Sequence, residues 1–106
     1  FDASAMDPLG HMMLSSDDYR YITDGIVALA ETHCDGRLVM THEGGYSEAY
    51  VPYCGLAVLE AMSGVDTGIE DPFISHIVEY GGQTLQPHQQ AAIDEVAAHS
   101  AKIGKN

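Results

Sequence analysis

Basic residues are scarce in this sequence. Among 106 residues there are 4 Lys and Arg against 16 Asp and Glu, and the formal net charge is −12. Binding to nucleic-acid phosphates needs clustered Lys or Arg, so we expect no direct nucleic-acid partner. An acidic surface could attract a cationic substrate. A general role in keeping the protein in solution is the simpler explanation, because net charge does not say where the charges lie.

Long apolar runs and cysteine clusters are also missing. No apolar run reaches the length of a membrane span, so we expect no passage across a bilayer. The first residues lack the basic region and long apolar core of a secretory signal, and a start at Phe1 suggests a cut end. Neither Cys34 nor Cys54 lies in a Cys-x-x-Cys pair. We expect two small buried thiols in a reducing, cytoplasmic compartment.

The apolar content of 45% is that of a globular chain, and the length suits a single small domain. Apolar residues at helical spacing, with capping and breaking residues between them, predict four helices. They run from a cap at Ser15 or Ser16 to Gly36, from about 48 to 62, from Asp71-Pro72 through Val78, and from Pro87 onward, with Gly81-Gly82 as a break.

Two segments have the character of strands. Residues 38–41 are a short apolar run without helical period, typical of a buried strand. Residues 1–15 are predicted to be a strand end and a loop, with turn-forming residues at 7–10. A capped helix between two such strands predicts an α/β fold with a parallel sheet and flanking helices. Since two strands do not make a sheet, the remaining strands are expected from an upstream part of the same domain.

Ligands bind at the carboxyl ends of the strands in an open α/β sheet. Asp2 and Tyr46 each follow a predicted strand, so a carboxylate and a phenol should converge at one edge. Gly44 and Gly45 precede the tyrosine and would allow a ligand to approach the backbone closely.

These segments resemble a known family. Phe-Asp-Ala at residues 1–3 with Asp-Pro-Leu-Gly at 7–10 resembles the Gly-Phe-Asp-Ala and Asp-Pro-Leu block of class II histone deacetylases and bacterial histone-deacetylase-like amidohydrolases. Glu-Gly-Gly-Tyr at 43–46 resembles their Glu-Gly-Gly-Tyr loop. The likeness covers about residues 1–65, and residues 66–106 resemble a variable helical tail. The chain is thus interpreted as one partial domain, the C-terminal part of a deacetylase catalytic domain.

The resemblance implies an arginase–deacetylase fold and hydrolysis of acetyl-lysine or acetylated amines on Zn²⁺. Asp2 would be a zinc ligand, since a carboxylate suits a catalytic site that keeps a position open for water. Tyr46 would be the catalytic residue that donates a hydrogen bond to the developing oxyanion. Gly44 and Gly45 would line the substrate channel, and Pro8 and Leu9 its rim.

The chain departs from the family pattern in two ways. It contains no Asp-x-His triplet, which would supply the other ligands, and no His-His pair, which would act as general base and acid. We therefore expect the chain alone to be inactive and to bind zinc weakly or not at all. Acetylpolyamine hydrolysis and a non-catalytic acidic interaction domain derived from the family remain as alternatives, and a homo-oligomer is compatible with each.

Overall fold

The structure is a computed structural model that describes residues 1–80 and 84–103. In this part of the chain four α-helices follow one another, as the apolar pattern predicted. They are α1 (Ser16–Cys34), α2 (Val51–Ser63), α3 (Ile74–Glu79) and α4 (Pro87–Ile103). The predicted break at Gly81-Gly82 lies outside the described residues.

Local capping residues determine where α1 begins and ends. Ser15 is its N-cap, and the Ser15 side chain and Asp18 form a reciprocal capping box. This pairing satisfies backbone donors that the first turn leaves free. At the other end Asp35 takes a left-handed conformation, with φ of 53°, and Gly36 follows with φ of 74°. The predicted limits of α1 are confirmed.

The next two helices begin later than the sequence predicted. Pro52 lies in the first turn of α2, where its missing N–H costs nothing, and Gly64 ends the helix with φ of 69°. The prediction that Asp71 caps α3 directly was wrong. Its Oδ1 accepts a hydrogen bond of 2.8 Å from the N–H of Phe73, so it braces the turn that precedes the helix.

The predicted buried strand at residues 38–41 does not form. The described residues contain no strand, and their single bridge joins Ser4 to Leu14 in parallel. Val39, at the centre of the apolar run, is 88% exposed. A strand needs a neighbour for its backbone N–H and C=O groups, and no other described segment pairs with this one. The helices of the expected α/β fold are therefore observed without its sheet.

The buried core is small and centres on Tyr50, which precedes α2. Its ring is fully buried and meets Phe73 edge-on, with ring centroids 5.7 Å apart. Its hydroxyl accepts a hydrogen bond of 2.9 Å from the N–H of Ser16 at the start of α1. Cys54 and Ile77 complete the buried cluster. Tyr50 thereby fixes the point at which the chain enters α2.

The two cysteines differ in environment. Cys54 lies in the core, where burial raises the pKa of its thiol to about 12. Cys34 is exposed, so the prediction that both thiols are buried was wrong for it. Cys34 is the last residue of α1, at a helix end that no described segment covers.

Helix packing is concentrated between α1 and α2, and α4 stands apart from it. The described side chains of α4 are exposed, including Ile93 at 51% and Val96 at 67%. The radius of gyration is 15.9 Å, against about 13 Å for a compact domain of roughly this size. No helix in residues 1–80 and 84–103 has the length and apolar character that crossing a membrane requires.

A buried glutamate ties α2 to its neighbours. Glu60 accepts hydrogen bonds from the N–H and the hydroxyl of Thr67 and pairs with Arg20 of α1. The hydrogen bonds from Thr67, followed by the one from Arg20, hold the pKa of Glu60 at about 2, below its ordinary value of 4.5. Such a group stabilises the fold fully above its unfolded pKa, and this contribution is lost as the pH falls through the folded pKa.

We therefore expect Glu60→Gln to lower the midpoint of thermal unfolding at pH 7 and to flatten the loss of stability between pH 4.5 and about 2. Thermal unfolding followed by circular dichroism at pH 7, 4 and 2.5 would measure both effects. Glu31→Gln, at an exposed position of α1, is the matched control and should leave the pH dependence unchanged. Parallel pH profiles for wild type and Glu60→Gln would refute this role.

Candidate active site

The predicted site residues lie on two loops that contact each other. The aspartate loop, residues 1–10, carries Asp2, and the tyrosine loop, residues 42–46, carries Tyr46. The tyrosine loop has no regular secondary structure, and its course depends on contacts with the aspartate loop and on the entry into α2 at Tyr50.

Asp2 lies directly against the tyrosine loop. Its side chain is 58% exposed. A Cβ placed on Gly44 would lie 2.7 Å from Asp2 Oδ1 and 2.8 Å from its carboxyl carbon, closer than real Cβ atoms come. Gly44 also has φ of 61°, a conformation that favours glycine. The structure thus provides a reason for glycine at 44 that is separate from its predicted part in lining a channel.

Two further close approaches fix the backbone around the site. A Cβ on Gly10 would lie 1.5 Å from the carbonyl oxygen of Asp2, so the turn at 7–10 rests directly on the Asp2 backbone. A Cβ on Gly45 would meet Val51 and Phe1 at 2.7 and 2.8 Å. The space at these glycines is filled by neighbouring atoms of the same site.

Asp7, which the sequence analysis took only as part of the turn at 7–10, joins the two loops. Its Oδ1 accepts hydrogen bonds of 2.8 and 3.0 Å from the N–H groups of Leu9 and Gly10. Its Oδ2 accepts one of 2.7 Å from the N–H of Tyr46. Burial raises the pKa of Asp7, but these three donors, Tyr46 first, outweigh burial and hold it below its usual value.

Sequence reasoning found only half of this arrangement. An Asp before Pro-Leu-Gly is the signature of a side chain that braces its own turn, which accounts for Oδ1. The bond to Tyr46 spans 39 residues, and no local pattern indicates it.

An aromatic group supports the loops from the side of α1. The ring of Phe1 stacks on Tyr19, with centroids 5.1 Å apart, and meets His42 at 4.6 Å. His42 Nε2 lies 2.9 Å from the carbonyl oxygen of Gly44, and since a carbonyl only accepts, this nitrogen donates. The carbonyl oxygen of Glu43 accepts from the backbone nitrogen of Phe1. His42 is therefore an exposed, hydrogen-bonded support of the tyrosine loop.

Three other predicted site residues face solvent. Tyr46 is 58% and Leu9 is 64% exposed, and Pro8 is exposed beside it. The roles assigned to them, a catalytic phenol and a substrate rim, both require exposure and stay predictions.

The donor set fits one position of a metal site. Asp2 offers an exposed carboxylate, the hard oxygen ligand that zinc accepts alongside nitrogen and sulfur. Within residues 1–80 and 84–103, no three His, Cys, Asp or Glu side chains are grouped to hold a metal ion. The described residues therefore contain no complete metal centre by themselves.

The region that contains both loops, α1 and α2 also defines the class of protein. The model of the histone deacetylase domain family matches residues 1–62, more than half of the chain. The chain belongs to the histone deacetylase family, in agreement with the resemblance seen in its motifs.

Individual relatives support this assignment. The chain is 48% identical over 99 residues to the histone deacetylase-like amidohydrolase of Pseudomonas aeruginosa, which covers 92% of this chain and 26% of that protein. It is 39% identical over 102 residues to histone deacetylase 8 of Arabidopsis thaliana, covering 96% and 26%. A probable deacetylase of Archaeoglobus fulgidus is 44% identical over 68 residues, covering 62% and 19%. The chain thus spans about a quarter or less of the length of these relatives.

Proposed function

We propose that the protein containing this chain is a zinc-dependent hydrolase that removes acetyl groups from acetyl-lysine or acetylated amines. In this proposal Asp2 is one zinc ligand and Tyr46 is a catalytic residue. The other ligands and the general base lie in parts of the domain outside these 106 residues. The family and the printed names of the relatives, deacetylase and amidohydrolase, support the reaction class.

One observation carries the assignment of the site. The Asp7 side chain, on the aspartate loop, accepts a hydrogen bond from the backbone N–H of Tyr46 on the tyrosine loop. Gly44 of the tyrosine loop also packs against the Asp2 carboxylate. The Asp2 carboxylate and the Tyr46 phenol, 44 positions apart in sequence, are thus carried by two loops that contact each other directly. Both side chains are exposed, so neither is engaged in packing within the described residues.

The chemistry divides between the metal and the chain. Bound zinc supplies a Lewis acid that polarises an acetyl carbonyl and lowers the pKa of water. Asp2 contributes a negative oxygen ligand to hold it. The Tyr46 hydroxyl is suited to donate a hydrogen bond to the oxygen that becomes negative during attack, an interaction that strengthens as charge develops. The exposed Pro8 and Leu9 would contact the substrate stem at the rim.

The test is turnover by the full-length protein. An acetyl-lysine peptide and acetylputrescine should be compared at equal concentration, with and without a zinc chelator. Hydrolysis of either substrate that the chelator abolishes and zinc restores supports the proposal, and the ratio of kcat/KM distinguishes deacetylase from polyamine amidohydrolase. No hydrolysis of either by zinc-loaded protein would favour the non-catalytic interaction domain.

Gly44→Ala should reduce activity by about tenfold or more, because a misplaced catalytic group is costly and the new methyl group would displace Asp2. Gly64→Ala is the matched control, since Gly64 has a similar φ of 69° and nothing within 4 Å of the added carbon.

A left-handed alanine costs both variants about 1 kcal/mol. Gly44→Ala adds the clash with Asp2, so its unfolding midpoint should fall at least as far as that of Gly64→Ala. Only Gly44→Ala should lose kcat/KM and zinc affinity. Equal activity in the two variants would show that the contact between Gly44 and Asp2 has no consequence for function.

A further inference from the structure

Asp7 is a buried carboxylate whose partners are all backbone N–H groups. It is 6% exposed. Burying a charge is unfavourable unless hydrogen bonds compensate it, and three donors do so here. The two bonds to Oδ1 close the turn at Leu9 and Gly10, which would suffice for a structural aspartate. The third, from Tyr46, requires a different explanation.

The bond from Tyr46 acts at the end of the tyrosine loop, just after the packed residues Gly44 and Gly45. The tyrosine loop reaches this point through Gly44 and Gly45, with φ of 61° and 92°, and glycine has the widest backbone freedom of any residue. The Tyr46 side chain is 58% exposed, so packing constrains it weakly. Its position therefore depends on the backbone at Tyr46, whose N–H is held by Asp7 Oδ2 at 2.7 Å.

The same carboxylate also locates Asp2. Asp7 Oδ1 holds the N–H of Gly10 at 3.0 Å, and Gly10 lies against the carbonyl oxygen of Asp2. One oxygen thus secures the turn behind the proposed zinc ligand, and the other secures the proposed oxyanion donor. A shift of Asp7 would change the distance between the two.

We propose that Asp7 is a positioning residue that sets the Tyr46 hydroxyl relative to the metal held by Asp2, an inference that rests on the proposed function. A general role in folding would affect all steps equally. A positioning role predicts a specific loss of kcat that depends on the Tyr46 hydroxyl.

Asp7→Asn in the full-length protein tests this inference. The asparagine side chain has one acceptor oxygen, and its NH₂ group only donates. It therefore cannot accept both from the N–H groups of Leu9 and Gly10 and from the N–H of Tyr46. Because Asp7 also supports the turn behind Asp2, we expect zinc affinity to weaken by up to about 10- to 100-fold. At saturating zinc, KM for an acetyl-lysine peptide should stay within about twofold and kcat should fall by about tenfold or more. Asp7→Glu, which keeps the charge but extends the side chain, should give the same pattern and carries the test if the Asn variant does not fold.

Asp71→Asn is the matched control. Asp71 is a partly buried carboxylate with a comparable pair of bonds, Oδ1 accepting from Phe73 of its own turn at 2.8 Å and Oδ2 accepting from the distant Ser16 hydroxyl at 2.6 Å. It has no bond to the tyrosine loop, so its loss should lower the unfolding midpoint and leave kcat unchanged.

A double-mutant cycle with Tyr46→Phe separates the two roles. If Asp7 acts by positioning the hydroxyl, Asp7→Asn should cost little further kcat in the Phe background. Equal losses in both backgrounds, or kcat of Asp7→Asn within about twofold of wild type, would overturn the inference while a large effect of Tyr46→Phe left the proposed function intact. Full activity of Tyr46→Phe would instead overturn the proposed function, and the inference with it.

Discussion

Replacing Tyr46 by phenylalanine in the full-length protein should lower kcat for an acetyl-lysine peptide on the order of 10²-fold or more and leave bound zinc unchanged. The substitution removes one hydroxyl. The ring, the backbone bond from Tyr46 N to Asp7 and the contact of Gly44 with Asp2 do not depend on that hydroxyl. Steady-state kinetics together with metal analysis of the same preparations measure both expectations.

The control for Tyr46→Phe is another exposed tyrosine that lies outside the two loops. Tyr21 lies on α1 and is 81% exposed, and Tyr21→Phe should change neither kcat nor zinc content. A Tyr46→Phe enzyme with activity within a few-fold of wild type would contradict the catalytic assignment. Loss of zinc from it would mean that the substitution disturbs the aspartate loop.

The parts of the fold that the sequence predicted are those set by local contacts. Ser15 with Asp18 begins α1, and Gly36 follows its end. Gly64 ends α2. Each cap is a bond between residues a few positions apart, so composition and spacing are sufficient to find it.

The parts it did not predict depend on segments far apart in the chain. An apolar run at 38–41 indicates a strand only if partner strands are present, and no described segment pairs with it. The helical spacing on α1 predicted an apolar face that includes Ile22 and Leu29, but these are 45% and 61% exposed. The buried positions of α1 are instead Ser16, Thr23 and Ala30. The exposure of Ile22 and Leu29 agrees with the proposal that other parts of the domain pack on these surfaces. The matched region is about a quarter of the Pseudomonas aeruginosa relative.

In the candidate site, too, the features set by short local motifs were predicted and a contact between distant residues was not. Asp2 and Tyr46 were predicted from short motifs in a fixed order, and both motifs fall inside the family match at 1–62. The bond from Tyr46 to Asp7 Oδ2 was not predictable, because the Asp-Pro-Leu-Gly turn determines the partners of Oδ1 only.

Asp2→Ala in the full-length protein should lose the metal as well as the activity. Changing residues that merely orient a ligand costs 10- to 100-fold in metal affinity, so removing a ligand should cost on the order of 10²-fold or more. Zinc content after dialysis, and titration against a chromophoric chelator, measure the loss directly. Asp24→Ala, at an exposed position on α1, is the control for removing a surface carboxylate.

The two active-site substitutions are informative because their expected results differ. Tyr46→Phe should retain zinc and lose rate, whereas Asp2→Ala should lose zinc, with activity partly restored by a large excess of the metal if the remaining ligands still bind it. An Asp2→Ala protein that holds stoichiometric zinc with wild-type affinity would exclude Asp2 as a ligand. The carboxylate beside Gly44 would then be a structural contact between the loops, and the metal site would lie entirely outside these residues.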